Sequence, residues 1–319
     1  MPQTSPHSSL ACDDDLSDAV LHSLADQIAV IDRTGAILYV NRAWHAFAIS
    51  NGMAADHQWI GINYLRVCRD CAPSSQTETD SVNTYAGIVG VIEGRADAFV
   101  YEYPCHSPTE KRWFLMHMGP LWGRSGQFVI SHHNITARVL VEEEVRHLAF
   151  YDPLTNLPNR RLLMDRLKQA MLSSNRSDQH GALIFLDLDH FKQLNDSLGH
   201  AMGDELLKQV AVRLQSCVRE VDSVARLGGD EFVVLLEDLS TESHLARSQT
   251  EVVAHKIRHI LGLPYALGNH IYESTPSIGA AVFLQDQEAM EELIRRADAA
   301  MYQSKAAGRN CVHFYLEPH

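Results

Sequence analysis

Adjacent carboxylates after a glycine turn are the first residues in this sequence that could do chemistry. Asp230 and Glu231 follow Gly228-Gly229, and apolar runs at 223–227 and 232–236 lie on either side. This pattern predicts a β-hairpin, because glycine adopts positive φ at little cost. The hairpin would hold two acidic side chains near its tip, open to solvent, as binding of a divalent cation requires.

A second acidic pair ends a predicted buried strand. The continuous apolar run from 182 finishes in Asp187-Leu188-Asp189, which indicates a strand that delivers carboxylates at its end. Asp187 and Asp189 are two residues apart and therefore face the same side. The alternative, a simple turn at the strand end, is disfavoured by the polar blocks that follow at 191–196 and 199–204.

Size and charge limit the classes of function. A chain of 319 residues, 45% hydrophobic and 21% charged, predicts about two ordinary globular domains. The net charge of −13 divides into −7 for residues 1–150 and −6 for 151–319, so neither half is suited to hold nucleic acid. An anionic small ligand would need a metal ion and a few local basic side chains.

The sequence also predicts a location. No apolar run reaches the roughly 18 to 20 residues that span a bilayer, and the first ten residues lack the layout of a signal peptide. Six scattered cysteines indicate reduced thiols. We therefore expect a cytoplasmic protein without a membrane span, with residues 1–14 as a mobile polar tail.

Residues 15–135 predict an antiparallel sheet with flanking helices. The periodicity gives helices at 16–24 and 41–49, and strands at 28–31, 37–40, 99–103, 112–118 and 128–132. This order, with Asp32, Gly35 and Asn41, resembles the entry to a PAS sensor domain. Asn134-Ile135-Thr136 stands where many PAS domains end in Asp-Ile-Thr, and the asparagine departs from that pattern.

The sequence leaves the ligand of this half unknown. Its many histidines make a haem ligand one alternative, although locally satisfied histidines are favoured; they are His22, His45, His57, His106, His117, His132 and His133. Gly61-Ile-Asn63-Tyr64 resembles the start of the light-sensing flavin motif, but Tyr64 stands where the reactive cysteine would be. Cys68 and Cys71, with Cys105-His106, offer zinc-type donors, but a single C-x-x-C favours ordinary thiols.

Residues 136–150 predict an amphipathic helix that joins the two halves. Val141, Val145 and Leu148 are spaced by four and three residues, and Glu142 to Glu144 occupy the other faces. Two interpretations stay open: a single solvated connector, or a short coiled coil with a second copy. A paired helix would set how two catalytic domains face each other.

Residues 151–319 resemble the GGDEF diguanylate cyclases, and the resemblance covers roughly half the chain. It rests on Gly228 to Phe232 and on further blocks in the family's order, at 151–161, 187–196, 199–204, 219–222 and 305–309. One departure is Asn156, where the family more often has glycine. The resemblance implies an α/β (α+β) domain similar to the palm of nucleotidyl cyclases and polymerases.

The resemblance also implies a role for each matching residue. Asp187, the carbonyl of Leu188, Asp230 and Glu231 would hold Mg²⁺ or Mn²⁺, and Asp230 and Glu231 would be catalytic. Nucleotide-binding residues would be Asn195 and Asp204 at the guanine edge, His200 nearby, and Lys305 and Arg309 at the phosphates. Arg219 and Asp222 would bind cyclic di-GMP as an inhibitory product, where the alternative is a surface ion pair.

The implied reaction converts two GTP into cyclic di-GMP and two pyrophosphates. It would take place in a homodimer, with the 3′-hydroxyl of each GTP attacking the α-phosphorus of the other, and with a PAS sensor as regulator. The alternative is a non-catalytic receptor for cyclic di-GMP or GTP. A bifunctional enzyme that also degrades the product is disfavoured, because the sequence shows no phosphodiesterase-like block.

Overall fold

The computed structural model describes residues 13–70, 78–284 and 289–315. The chain divides into two compact units, 1–143 and 144–319. The division falls inside helix α5, Thr136–Phe150, which has the bounds predicted for the linker helix. Nearly all of the predicted tail, and Cys71 of the zinc alternative, lie outside the described residues. No helix in the described part of the chain is long and apolar enough to cross a lipid bilayer.

The N-terminal unit contains a five-stranded antiparallel sheet in the order β2-β1-β5-β4-β3. Its elements are α1 Asp13–Ser23, β1 Gln27–Asp32, β2 Ile37–Val40, α2 Arg42–Ser50, α3 Tyr64–Asp70, α4 Glu78–Ile92, β3 Phe99–Pro104, β4 Trp113–Pro120 and β5 Gln127–Asn134. The five strands, α1 and α2 were predicted. Helices α3 and α4 were missed, since α3 is short and α4 is rich in residues of low helix propensity, such as Thr84 and Gly87.

The residues that carried the PAS resemblance hold this unit together locally. Asn41 is fully buried, and its Oδ1 accepts hydrogen bonds from the main-chain nitrogens of Trp44 and Ile28, both at 3.0 Å. It therefore caps α2 and fixes the start of β1. Asp32 Oδ1 accepts from the Thr34 nitrogen at 2.8 Å, and Gly35 has φ 84° in the same turn. The sheet-rich fold is compatible with a PAS domain.

His132 lies in the core of the N-terminal unit and bonds to two tyrosines. Its Nδ1 is 2.7 Å from Tyr103 Oη and its Nε2 is 3.1 Å from Tyr64 Oη. Tyr64 Oη donates to Met116 Sδ at 3.6 Å, so we assign Nε2–H as the donor to Tyr64 and Tyr103 O–H as the donor to Nδ1. Because both ring nitrogens are used, a haem iron at His132 would have to displace a tyrosine.

The burial of His132 predicts acid sensitivity of this unit. Burial lowers the pKa of His132 to about 4, whereas in the unfolded chain it is about 6.5. Between these two pH values, His132 is therefore protonated in the unfolded chain and neutral in the folded chain. Stability should fall as the pH drops from about 6.5 to about 4, by up to roughly 3 kcal/mol. Urea unfolding followed by tryptophan fluorescence measures this, because all four tryptophans lie before residue 143.

Two histidine variants make this test specific. His132→Gln should flatten the dependence of unfolding free energy on pH between 4 and 6.5, whereas the exposed His117→Gln should leave it unchanged. Equal slopes in the parent and in His132→Gln would show that other groups cause the acid sensitivity.

The C-terminal unit contains a five-stranded sheet in the order β12-β11-β6-β8-β7 and a separate β9-β10 ribbon. Its elements are α6 Arg160–Ser177, β6 Gly181–Leu188, α7 Phe191–Leu198, α8 His200–Cys217, β7 Ser223–Gly228, β8 Glu231–Leu236, α9 Ser243–Leu261, β9 Tyr265–Leu267, β10 His270–Tyr272, β11 Pro276–Phe283, α10 Met290–Ala306 and β12 Val312–Phe314. Every residue of β6 is buried, as its continuous apolar run predicted. One core includes α8 and α9, and the other includes α6 and α10.

Strand β11 was missed, and it determines where α10 lies. Its sequence begins Pro-Ser-Ile-Gly-Ala-Ala, with small residues of weak strand propensity. At Gly279 a Cβ atom would lie 2.0 Å from the main-chain nitrogen of Met301. Only glycine allows the α10 backbone to approach the sheet this closely, and that approach brings Lys305 to the end of β6.

Candidate active site

The predicted hairpin is present and meets the end of β6. Gly228 and Gly229 have φ values of 140° and 53°, and Gly228 pairs with Glu231 across the turn. Asp230 therefore lies at the tip of the hairpin. Glu231 is also the register partner of Asp187 on the neighbouring strand. The two acidic motifs, more than forty residues apart in sequence, thus share one edge of the sheet.

Asp187, Asp230 and Glu231 form what we call the acidic edge of the sheet. It carries more negative charge than one lysine neutralises. Lys305 Nζ donates to Asp187 Oδ2 at 2.7 Å. Burial raises the pKa of Asp187, and the nearby Asp230 adds to that rise, although Lys305 opposes it. Burial also raises the pKa of Asp230. A bound cation would relieve the cost of holding these carboxylates ionised.

The donors at this edge fit Mg²⁺ or Mn²⁺ in the presence of a nucleotide. Among the described residues, no three Asp, Glu, His or Cys side chains form a cluster that would hold a metal by themselves. Mg²⁺ does not need such a cluster, because it keeps several waters and binds one or two carboxylates together with substrate phosphates. Asp187, Asp230 and the carbonyl of Leu188 at the end of β6 are hard oxygen donors of this kind.

Helices α7 and α8 bring together the two residues predicted to bind guanine. Asn195 lies on α7, and its Oδ1 is buried with no hydrogen-bond partner in the described part of the chain. It lies directly against Gly203, where a Cβ would come within 2.0 Å of this oxygen. Asp204, the next residue, is exposed. An unpaired acceptor beside an exposed carboxylate fits the N–H donors of a guanine edge.

The remaining predicted nucleotide-binding residues lie at helix ends. Lys305 is in the last turn of α10, and Arg309 follows in the loop before β12. Arg309 is exposed and has no acidic partner among the described residues. His200 is the first residue of α8 and is exposed. Its place near the nucleotide stays a prediction.

Arg219 and Asp222 lie away from the acidic edge. Asp222 immediately precedes β7, so it is roughly 20 Å of strand from the hairpin turn. Its side chain is buried, and one of its oxygens accepts a hydrogen bond from Arg219 Nη2 at 3.1 Å. The same carboxylate accepts from the main-chain nitrogens of Arg219 and Glu237, at 2.9 and 3.2 Å. Arg219 is 56% exposed. Bonds within the chain hold the pair in place, and its role as a product site stays a prediction.

An ion pair that sequence reasoning missed attaches the hairpin to the segment after α5. Arg226 Nη1 donates to Asp152 Oδ1 at 2.8 Å, and its Nε and Nη2 donate to the Gly229 carbonyl at 3.1 and 2.7 Å. Burial acts to raise the pKa of Asp152, but hydrogen bonds from Thr155 and Arg226 outweigh it and lower the pKa. Arg226 thus supports the turn that presents Asp230.

Removal of Arg226 should destabilise the C-terminal unit. The two side chains are only 10% and 16% exposed, so Arg226→Ala leaves a partly buried carboxylate unpaired, at a cost of roughly 3 kcal/mol. Urea unfolding followed by far-UV circular dichroism measures the change. Arg295→Ala is the matched control, because its pair with Glu292 is at the surface and contributes little. Equal losses in both variants would contradict a supporting role.

A surface pocket of about 540 Å³ adjoins the acidic edge on the side of α6 and α10. It is lined by Arg160, Met164, Phe185, Glu231, Glu291, Ile294, Arg295 and Asp298. Phe185 precedes Asp187 by two residues on β6, and Glu231 is the register partner of Asp187. The acidic edge can therefore be reached from solvent on this side of the sheet.

Comparison with known proteins concerns the C-terminal half of the chain. Residues 149–311 match the family model described as "Diguanylate cyclase, GGDEF domain". The chain is 42% identical over 182 residues to the bifunctional diguanylate cyclase/cyclic di-GMP phosphodiesterase MucR of Pseudomonas aeruginosa, a match covering 56% of this chain and 25% of that protein. It is 37% identical over 168 residues to the response regulator PleD of Caulobacter vibrioides, covering 52% and 36% respectively.

A solved structure of the coiled coil and GGDEF domain of DgcB from Caulobacter crescentus, in complex with c-di-GMP, is 32% identical. It matches 56% of this chain and 93% of that one, with a TM-score of 0.49. The chain spans about a quarter of the length of the first curated relatives it matches. Because the family model covers half of the chain, the chain belongs to the GGDEF diguanylate cyclase family.

Proposed function

We propose that this protein is a diguanylate cyclase, which condenses two GTP into cyclic di-GMP and releases two pyrophosphates. The observation that carries the proposal is the acidic edge, where Asp187 pairs in register with Glu231 and receives Lys305 at 2.7 Å. A protein that only binds the finished dinucleotide has no need for buried carboxylates of raised pKa beside a lysine. Membership of the GGDEF family supports the same reaction.

The proposal gives the polar groups around this edge distinct tasks. Asn195 Oδ1 and the Asp204 carboxylate accept hydrogen bonds from the guanine edge, and the exposed His200 lies nearby. Lys305 and Arg309 neutralise the phosphate oxygens and the departing pyrophosphate. These contacts orient the α-phosphorus, which is most of what phosphoryl transfer requires from a protein.

Asp187, the Leu188 carbonyl, Asp230 and Glu231 are the groups that would hold Mg²⁺ or Mn²⁺. When bound, such an ion polarises the α-phosphate and lowers the pKa of the attacking 3′-hydroxyl. Asp230 and Glu231 are the carboxylates that would accept the proton of that hydroxyl. Asp230 suits this task because its burial raises its pKa, which makes its carboxylate a stronger base.

A homodimer is part of the proposal, because each protomer holds one GTP and the two must attack each other. Helix α5 supports it: Val141, Val145 and Leu148 are 57%, 61% and 52% exposed, so an apolar stripe on this helix is uncovered. Pairing of two such stripes would bury them. The activity per protomer should then rise with protein concentration.

Regulation is the second part of the proposal. The N-terminal unit would act as a PAS sensor whose ligand is unknown, in a cytoplasmic protein that draws on cellular GTP. Arg219 and Asp222 would bind cyclic di-GMP and slow the enzyme. The exposed guanidinium of Arg219 is available for a phosphate or a guanine, and Asp222 keeps it oriented.

The test is incubation of the purified protein with GTP and Mg²⁺, followed by chromatography of the nucleotides at several protein concentrations. We expect one cyclic di-GMP for every two pyrophosphates, with less inhibition by added product in Arg219→Ala. Bound product is removed beforehand, so that inhibition does not hide turnover. Binding of cyclic di-GMP without any turnover would instead identify a receptor.

A further inference from the structure

Asp189 is a buried carboxylate that the proposed reaction does not use. Only 3% of this residue is exposed. Its Oδ2 accepts from Thr275 Oγ1 at 2.6 Å and from the main-chain nitrogen of Asn310 at 3.0 Å, while its Oδ1 accepts from Ser277 Oγ at 2.7 Å. All three donors are neutral. A buried carboxylate needs such hydrogen bonds to compensate for its lost contacts with water. Both oxygens of Asp189 are therefore occupied by contacts within the protein.

One of these contacts holds a backbone segment of high energy. Gly308, Arg309 and Asn310 have φ values of 111°, 67° and 43°. The left-handed conformation is unfavourable for a non-glycine residue, and it persists only where surrounding contacts enforce it. The Asp189 carboxylate accepts the Asn310 N–H, and the Arg309 N–H donates to the Ser304 carbonyl at 3.0 Å.

The same residue anchors the end of β6. Asp189 directly follows Leu188, and its own N–H donates to the Thr275 carbonyl at 2.8 Å. Its side chain therefore joins the strand end that presents Asp187 to the loop that presents Arg309. Arg309 lacks an acidic partner among the described residues, so its position depends on this backbone.

We propose that Asp189 is a positioning residue for the substrate phosphates: it fixes the loop of Arg309 against the acidic edge. The inference rests on the proposed function, because it takes Arg309 to be a phosphate-binding residue. Asp189 neither touches the nucleotide nor holds the metal ion. Its effect on GTP passes through Arg309.

Two substitutions separate this role from a role of the charge itself. Asp189→Ala removes every acceptor and releases the loop. Asp189→Asn keeps one oxygen for Thr275 and Asn310, and its amide can donate to the Ser277 hydroxyl. We therefore expect Asp189→Asn to bind GTP nearly as the parent does. If Asp189 were a metal ligand or a general base, its replacement by asparagine would abolish that role.

The deciding experiment is a double-mutant cycle with Asp189→Ala and Arg309→Ala. Calorimetric titration with a non-hydrolysable GTP analogue and Mg²⁺ gives the affinities, and Asp165→Ala, an exposed acid on α6, is the control. Each single variant should weaken binding roughly tenfold, and the double variant should be no weaker than Arg309→Ala alone. In turnover, KM for GTP should rise more than kcat falls.

Several results would overturn the inference. Additive losses in the double variant would show that Asp189 does not act through Arg309, and an equal loss in Asp189→Asn would show that its charge is needed. Should Asp189→Ala fail to fold by circular dichroism, the asparagine variant decides between near-parental and lost affinity. If the parent did not bind the analogue, both this inference and the proposed function would be overturned. If the parent bound the analogue without turnover, only the proposed function would be overturned, and the double-mutant cycle would still test the role of Asp189.

Discussion

Asp230→Ala is expected to lower cyclic di-GMP formation on the order of a thousandfold, the largest effect of any single substitution considered for this protein. The variant loses the carboxylate at the hairpin tip, which is assigned both to the metal ion and to the proton of the 3′-hydroxyl. The measurement is the initial rate of product formation at saturating GTP and Mg²⁺. Asp56→Ala, which removes an exposed carboxylate from the N-terminal unit, should keep the parental rate.

The same substitution should not lower stability. Burial raises the pKa of both Asp230 and Asp187, although Lys305 opposes the rise, so each is held ionised at a cost in folding free energy. Deleting Asp230 removes one of these costs, and the midpoint of thermal unfolding should stay the same or rise. Affinity for cyclic di-GMP should also persist, because Arg219 and Asp222, the proposed product site, lie at the other end of β7. A rate near the parental value would remove Asp230 from the mechanism.

Gly203→Ala is expected to raise KM for GTP on the order of a hundredfold, because displacements of about 1 Å at a binding group have effects of this size. A Cβ at this position would lie 2.0 Å from Asn195 Oδ1, so the asparagine has to move away from its place beside Asp204. Selectivity for GTP over inosine triphosphate, which lacks the 2-amino group, should fall as well. Steady-state kinetics with both nucleotides measure the two effects.

A gain in helix propensity separates this effect from unfolding. Alanine is favoured over glycine by about 1 kcal/mol within a helix, so Gly203→Ala should keep its helical signal while losing affinity. Gly90→Ala in α4 is the matched control, because nothing lies within 4 Å of a Cβ there. An unchanged KM in Gly203→Ala would mean that Asn195 does not hold the guanine.

Local signals were enough to predict most elements of the N-terminal unit, and strand β6 and the β7-β8 hairpin of the C-terminal unit. The hairpin at Gly228-Gly229, the cap at Asn41 and the bounds of α5 depend on residues close in sequence, through turn geometry, capping and periodicity. The burial of every residue of β6 was also predictable, because a strand covered on both faces needs an unbroken apolar run. Elements made of small or weakly periodic residues, such as α4 and β11, were missed for want of such a signal.

The residue pattern was sufficient to predict the fold class, the hairpin with its two carboxylates, and the family to which the C-terminal half belongs. Tertiary structure alone decided which acids are free for chemistry. Asp187 and Asp189 look alike in sequence, yet only Asp187 forms an ion pair with Lys305. Asp189 instead accepts hydrogen bonds from Thr275 and Asn310, which are 86 and 121 residues further along the chain. Asp152 and Arg226 likewise meet across 74 residues. Such pairings follow from strand register and helix packing, and periodicity within a short window contains no information about either.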